Sequence, residues 1–236
     1  LPQLDFLKSV TRLKRLHIRG SREPSGNFSD LSTLAGLTRM EDLYLYLDGI
    51  SDLSGLSSMG QLKSLVLTGN TDITDLSPLS GLTNLRTLEV PASGENVGID
   101  LTPLSGLTKL RTLRTGSNVT DLSPLSGLTE LRELDLTYGG YSASDSQEYD
   151  SLAPLASLTN LTSLTIRNSK ISDLTPLSGL TKLRAMTIHN GTAIQDLSPL
   201  AGLPELKSLT IRGARHELDT SALTQVSSIS IESRES

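Results

Sequence analysis

Residues 75–88 read DLSPLSGLTNLRTL, residues 100–113 DLTPLSGLTKLRTL, residues 121–134 DLSPLSGLTELREL, and residues 173–186 DLTPLSGLTKLRAM. Four near-identical stretches in one chain mean a structural unit used repeatedly, and such repetition overrides any reading of isolated elements. Weaker copies begin at Asp30, Asp52, Ser151 and Asp196. An incomplete copy opens the chain from Leu4, and a degenerate one closes it near Leu218.

Within each copy the leucines recur every three residues, as in Leu76, Leu79, Leu82 and Leu85. That spacing fits a tight 3-10 turn better than an α-helix. Ser77 suits a helix N-cap, Pro78 the first helical position, and Gly81 a left-handed residue that ends the turn. The copy then switches to alternation, Leu88-x-Val90, the period of a half-buried strand. Strand centres fall at Leu16, Leu43, Leu65, Leu88, Leu113, Leu134, Leu164, Met186, Leu209 and Ile229, spaced 20 to 30 residues apart. Ten units of about 23 residues account for residues 1–236 as a single domain. An isolated unit cannot bury its six or so aliphatic side chains, each contributing roughly 1.5–3 kcal/mol when buried, so stability must arise between neighbours.

The unit L-x-x-L-x-L-x-x-N-x-I-x-D-L-S-P-L-S-G-L-T-x resembles the leucine-rich repeat, in the 22-residue form of bacterial internalins and of a nuclear regulatory subunit of protein phosphatase 1. The resemblance covers the whole chain. It implies an α/β fold: a right-handed solenoid with about ten parallel strands on its concave face and short 3-10 turns on its convex face. It also implies a bacterial protein. Asn70 and Asn118 stand where the family carries a buried asparagine ladder. Ser93, Gly139, Ser169, Gly191 and Ala214 replace it elsewhere, which implies a weaker ladder.

Composition narrows the function. Of 236 residues, 48 are Leu, none is Cys or Trp, and aromatics make up 3%. Without Cys there are no disulfides, thiolate metal sites or Cys nucleophiles. A formal charge of −5 argues against nucleic acid held by phosphate contacts. No apolar run reaches the roughly 18 residues of a membrane span. His17, His189 and His216 form no metal-binding motif. No G-x-S-x-G elbow and no phosphate loop occurs, and the periodic Ser and Thr read as caps. The aspartate column Asp30, Asp52, Asp75, Asp100, Asp121, Asp173, Asp196 reads as turn-capping, not calcium-binding. No cofactor and no enzymatic activity are expected. No signal peptide is visible and the chain starts at Leu1, so it reads as part of a longer protein, with Ser236 as a candidate natural end. The compartment stays open, leaning towards the cytoplasm over the cell surface.

What remains is recognition of a protein partner by the concave face. Its outward positions run in three columns. The first holds Arg15, Asp42 and Glu133, the second His17, Tyr44, Glu89, Arg114 and Asp135, and the third Arg19, Tyr46, Pro91, Gly116, Arg167, His189 and Arg212. Tyr and Arg are enriched at interface hot spots. All five tyrosines avoid the consensus core positions: Tyr44 and Tyr46 on the face, Tyr138, Tyr141 and Tyr149 in or beside the longest insertion. Insertions at residues 20–29, 91–99 and 137–149 all follow strands and so leave from one rim. Candidate binding residues are therefore Arg15, His17, Arg19, Tyr44, Tyr46, Glu89, Arg114, Glu133, Asp135, Tyr138, Tyr141, Arg167, His189 and Arg212. The expected role is a non-catalytic protein-recognition module, for example the C-terminal sensor of a larger receptor. The alternatives are an internalin-like cell-surface adhesion domain, or a regulatory subunit clamping an enzyme such as a phosphatase.

Overall fold

In a computed structural model of the chain the described residues are 5–20, 31–47, 49–69, 73–91, 99–116, 118–137, 149–168 and 170–233. Ten strands form one sheet in strict sequence order: β1 (Arg15–Arg19), β2 (Asp42–Tyr46), β3 (Ser64–Thr68), β4 (Thr87–Val90), β5 (Thr112–Thr115), β6 (Glu133–Asp135), β7 (Ser163–Arg167), β8 (Ala185–His189), β9 (Ser208–Ala214) and β10 (Ser228–Ser233). Every neighbouring pair is parallel. Each expected strand centre lies in its strand and pairs with the next, from Leu16↔Leu43 to Ile229↔Leu209. Helical structure among the described residues is 3-10 throughout, and this alternation with parallel strands is the solenoid that the repeat implies.

The triplet spacing of leucines has a direct backbone counterpart. Leu79 N–H donates to Leu76 O, Leu82 to Leu79 and Leu85 to Leu82, each at 2.9 Å. These i→i+3 bonds turn every third side chain to the same side, so Leu76, Leu79, Leu82 and Leu85 are all at most 2% exposed. The same chain of bonds recurs in coils two, three and five to nine, and one continuous aliphatic core runs from Leu7 to Leu223.

A second repeated joint sits where each turn enters its strand. Lys63 O accepts both the Arg86 and the Thr87 N–H groups, at 2.8 and 3.1 Å, and Arg86 O accepts those of Arg111 and Thr112, at 2.8 and 3.0 Å. Equivalent bifurcated carbonyls join every coil to the next from Lys14 to Lys207.

Three local expectations change. Ser77 is not the N-cap: Leu76 is, and it has no side-chain capping bond. The cap comes from one residue earlier, where Asp75 Oδ1 accepts the Ser77 N–H at 2.8 Å and Oδ2 accepts the Ser77 hydroxyl at 2.9 Å. Gly81 is not left-handed. Positive φ among the described residues falls at Gly49, Gly69, Gly213 and Asn190, in or after strands. A Cβ at Gly81 would meet nothing within 4 Å. Ser58 and Ser157 occupy its column in coils three and seven, donating to Ala35 O at 2.7 Å and Ser126 O at 2.6 Å. In coil seven the buried asparagine is Asn168, not position 169. Its Nδ2 donates to Tyr149 O at 2.6 Å and its Oδ1 accepts from Lys170 and Ile171 N–H at 2.7 and 3.1 Å. Asn118 is 4% exposed, as its ladder position requires.

The capping aspartates give a pH prediction. Hydrogen bonds from the side chains of Ser123 and Thr175, then from their backbone N–H groups, hold the Asp121 and Asp173 carboxyls below their ordinary 3.8. A carboxyl with a depressed folded-state pKa stabilises the fold fully above its unfolded value, and that contribution is lost as pH falls through the folded value. Asp121→Ala with Asp173→Ala is therefore expected to lower Tm near neutral pH. The gap to the wild type should close as pH drops below 3.8. A gap of equal width in acid, by calorimetry, would refute capping by the charged form.

Candidate functional site

Period two along the strands turns one set of side chains into the core and the other outward, and the burial of β2 alternates accordingly, with Leu43 and Leu45 buried and Asp42, Tyr44 and Tyr46 half-exposed. Parallel pairing in register lines the outward positions into columns. The first runs from Arg15↔Asp42 to Ser228↔Ser208, and the second from His17↔Tyr44 to Ser230↔Thr210. The third column is broken. β4 stops at Val90 and β5 at Thr115, and Pro91 and Gly116, expected outward, are buried. Val66 in the second column is also covered, at 6% exposure.

The N-terminal end of the face gathers five of the expected residues. The His17 ring lies 5.7 Å from that of Tyr44 and 5.0 Å from that of Tyr46, centroid to centroid, both tilted. Arg19 places its guanidinium 5.0 Å from the Tyr46 ring centre, within cation–π range, and its Nε donates to His17 Nε2 at 3.3 Å. His17 accepts that bond only as the tautomer with Nε2 unprotonated. Arg15 pairs with Asp42 at 3.0 Å. A shallow depression of about 390 Å³ lies among Arg15, Leu16, His17, Asp42 and Tyr44.

The middle of the face is ionic. Arg114 reaches Glu89 at 3.5 Å on one side and Glu133 at 3.2 Å on the other, bridging three strands. Asp135 is turned back on its own chain, accepting the Thr137 N–H at 2.8 Å and hydroxyl at 2.6 Å. Surface pairs of this kind contribute at most about 1 kcal/mol each. They do, however, engage the charges that a partner would otherwise meet.

Towards the C-terminus, Arg167 pairs with His189 across β7 and β8, and Arg212 on β9 meets Glu232 at 3.2 Å. Partial burial, then the charges of Arg212 and Arg167, push the His189 pKa below its ordinary 6.5 against the opposing pull of Asp135 and Glu232. The balance favours the neutral imidazole, with Arg167 and Arg212 outweighing Asp135 and Glu232.

Tyr138 and Tyr141 lie outside the described residues. Tyr149 corrects the expectation that no tyrosine enters the core: it is 2% exposed and belongs to the core cluster. It fills the position two residues before the capping residue of its turn, held by Ile73 before Asp75 and Ile171 before Asp173. In its own coil the cap is the Ser151 hydroxyl, which accepts the Ala153 N–H at 3.0 Å. Among the described residues no three His, Cys, Asp or Glu side chains are grouped to hold a metal ion, and no helix is long and apolar enough to cross a membrane.

The family model for R13L1/DRL21 LRRs matches residues 100–214. No curated protein matches the chain. Among solved structures, an internalin (inlF) of Listeria monocytogenes is 32% identical with a TM-score of 0.69, over 98% of this chain and 69% of that one. Internalin C2 of the same organism is 30% identical with a TM-score of 0.69, over 98% of this chain and 92% of that one. A leucine-rich-repeat protein of Leptospira interrogans shares the fold at 20% identity and a TM-score of 0.77, over 96% of this chain and 58% of that one. Sequence identity sustained over almost the whole length, on a sheet and turns built alike, places the chain in the internalin family of leucine-rich-repeat proteins.

Proposed function

We propose that the chain is a non-catalytic protein-recognition module that binds a protein partner through the outward face of its sheet, anchored at His17, Arg19, Tyr44 and Tyr46. The observation that carries this reading is the ring cluster itself. In a chain whose interior is almost wholly aliphatic, two tyrosines and a histidine stand together on the outward face, stiffened by Arg19. Rigid aromatic side chains beside arginine supply contact area at little entropic cost, which is what interface hot spots are made of. Glu89, Arg114, Glu133 and Asp135 extend the surface as a mixed-charge strip, and Arg167, His189 and Arg212 close it. Tyr138 and Tyr141 follow β6 in the sequence. Membership of the internalin family supports the adhesion role as a second reading that uses the same surface.

The test is affinity capture with the full chain, followed by titration of the captured proteins. Tyr44→Ala with Tyr46→Ala should weaken a true partner at least 100-fold, about 3 kcal/mol. Because both rings are half-exposed, Tm should fall by no more than about 4 °C. A partner bound within threefold of the wild-type affinity by the double variant overturns the anchor.

A further inference from the structure

The residue immediately before each strand is basic in seven of ten coils: Lys14, Lys63, Arg86, Arg111, Arg132, Arg184 and Lys207, with Glu41 the acidic exception. Their main chains are joined by the bifurcated carbonyls, so the side chains form a row along one edge of the solenoid at roughly the 4.8 Å spacing of strands. Two residues upstream, Arg12, Arg39, Lys109 and Lys182 add a second basic row, against Glu130 and Glu205. The edge thus holds eleven cations and three carboxylates in a chain whose formal charge is −5. The capping aspartates do not offset it, since they stand at the opposite end of each turn, as Asp75 does from Arg86.

We infer that the basic edge is a second interaction surface, separate from the outward face of the sheet, and that it takes an acidic polypeptide: a segment or protein face rich in Asp and Glu. Carboxylates already show how they fit. Glu41 sits between Lys14, at 2.7 Å, and Lys63, at 2.5 Å, Glu130 meets Arg111 at 3.2 Å, and Glu205 meets Arg184 at 2.8 Å. Arg86 and Arg132 are exposed and their side chains have no partner among the described residues, so they are free for the same geometry. A nucleic acid fits less well, since no described aromatic ring stands in either row to stack a base. The guanidinium fork pairs carboxylates in two-point fashion, which gives an extended acidic chain successive footholds.

The probe is poly-L-glutamate, titrated against the full chain at about 50 mM salt, where exposed charges act over more than 10 Å. Arg86→Glu with Arg132→Glu should weaken binding at least tenfold. Lys170→Glu with Arg215→Glu changes the net charge equally but away from the edge and should stay within twofold. Tyr44→Ala with Tyr46→Ala should bind the polymer like the wild type, so failure of the sheet-face reading and failure of this one are distinguishable. Circular dichroism confirms that each variant is folded. A thymidine oligonucleotide and phosphatidylglycerol vesicles should each bind at least tenfold more weakly than poly-L-glutamate. The inference is overturned by absence of polymer binding at low salt, by equal loss in the off-edge variant, by no loss in Arg86→Glu with Arg132→Glu, or by tighter binding of the oligonucleotide or the vesicles.

Discussion

Gly55→Ala is expected to destabilise the chain by about 3 kcal/mol, although the added group is one methyl. A Cβ on Gly55 would lie 2.2 Å from the Leu31 carbonyl oxygen, 2.4 Å from its carbon and 2.9 Å from the Ser32 nitrogen. All three are main-chain atoms, so no rotamer change relieves the overlap, and coils two and three must move apart. The expectation runs against the repeat consensus. The same position is Pro78, Pro103, Pro124, Pro154, Pro176 and Pro199 in other coils, each bearing a Cβ. Averaging over the repeats would offer Gly55→Pro as a repair, whereas the contact with Leu31 makes it more harmful than alanine. Urea unfolding of both variants decides the matter: a midpoint equal to or above the wild type would show that the coils separate at no cost.

The second large effect concerns position along the solenoid. Leu113 lies mid-chain, 0% exposed, in the same register column as Leu16, which is only partly buried at the first coil. Leu113→Ala leaves a cavity lined by coils on both sides and should cost about 3 kcal/mol. Leu16→Ala removes the same atoms where a described coil packs on one side alone, and should cost about 1 kcal/mol. Equal losses in urea would contradict a stability built from nearest-neighbour interfaces. The comparison uses one residue type in one structural role, so helix or strand propensity cannot explain the difference.

These contrasts also mark what the sequence made legible. Register was readable because ten copies of one pattern fix each strand centre, and a slip of one residue would turn leucines into solvent. The first two outward columns followed from that. The third did not, because β4 and β5 end early and carry Pro91 and Gly116 inward. Tyr149 was hidden by the insertion ahead of it. Counted backwards from Ser151, it occupies the isoleucine position, and that spacing was the available signal. Asn168 yields to the same backward count, standing three residues before Ile171 as Asn70 stands before Ile73. Serine's preference for N-caps points to Ser77, but in a turn of three residues an aspartate two positions upstream of the first free N–H reaches it better. The ring cluster was legible as a set of neighbours, and the pairing of Arg114 with two glutamates was not, since rotamers decide it.

The joint between coils is built on main-chain bonds, to which, among the described residues, only the Thr162 and Ser227 hydroxyls add a side-chain bond, at 3.0 Å each. The carbonyl that accepts two N–H groups belongs to lysine, glutamate, arginine or threonine with the same geometry each time. A gene encoding such joints can gain or lose a whole coil by duplication or deletion without inventing any new fit. Scaffold length, and with it the number of residues offered to a partner, becomes something that recombination can adjust in steps while sequence drift edits the exposed columns independently.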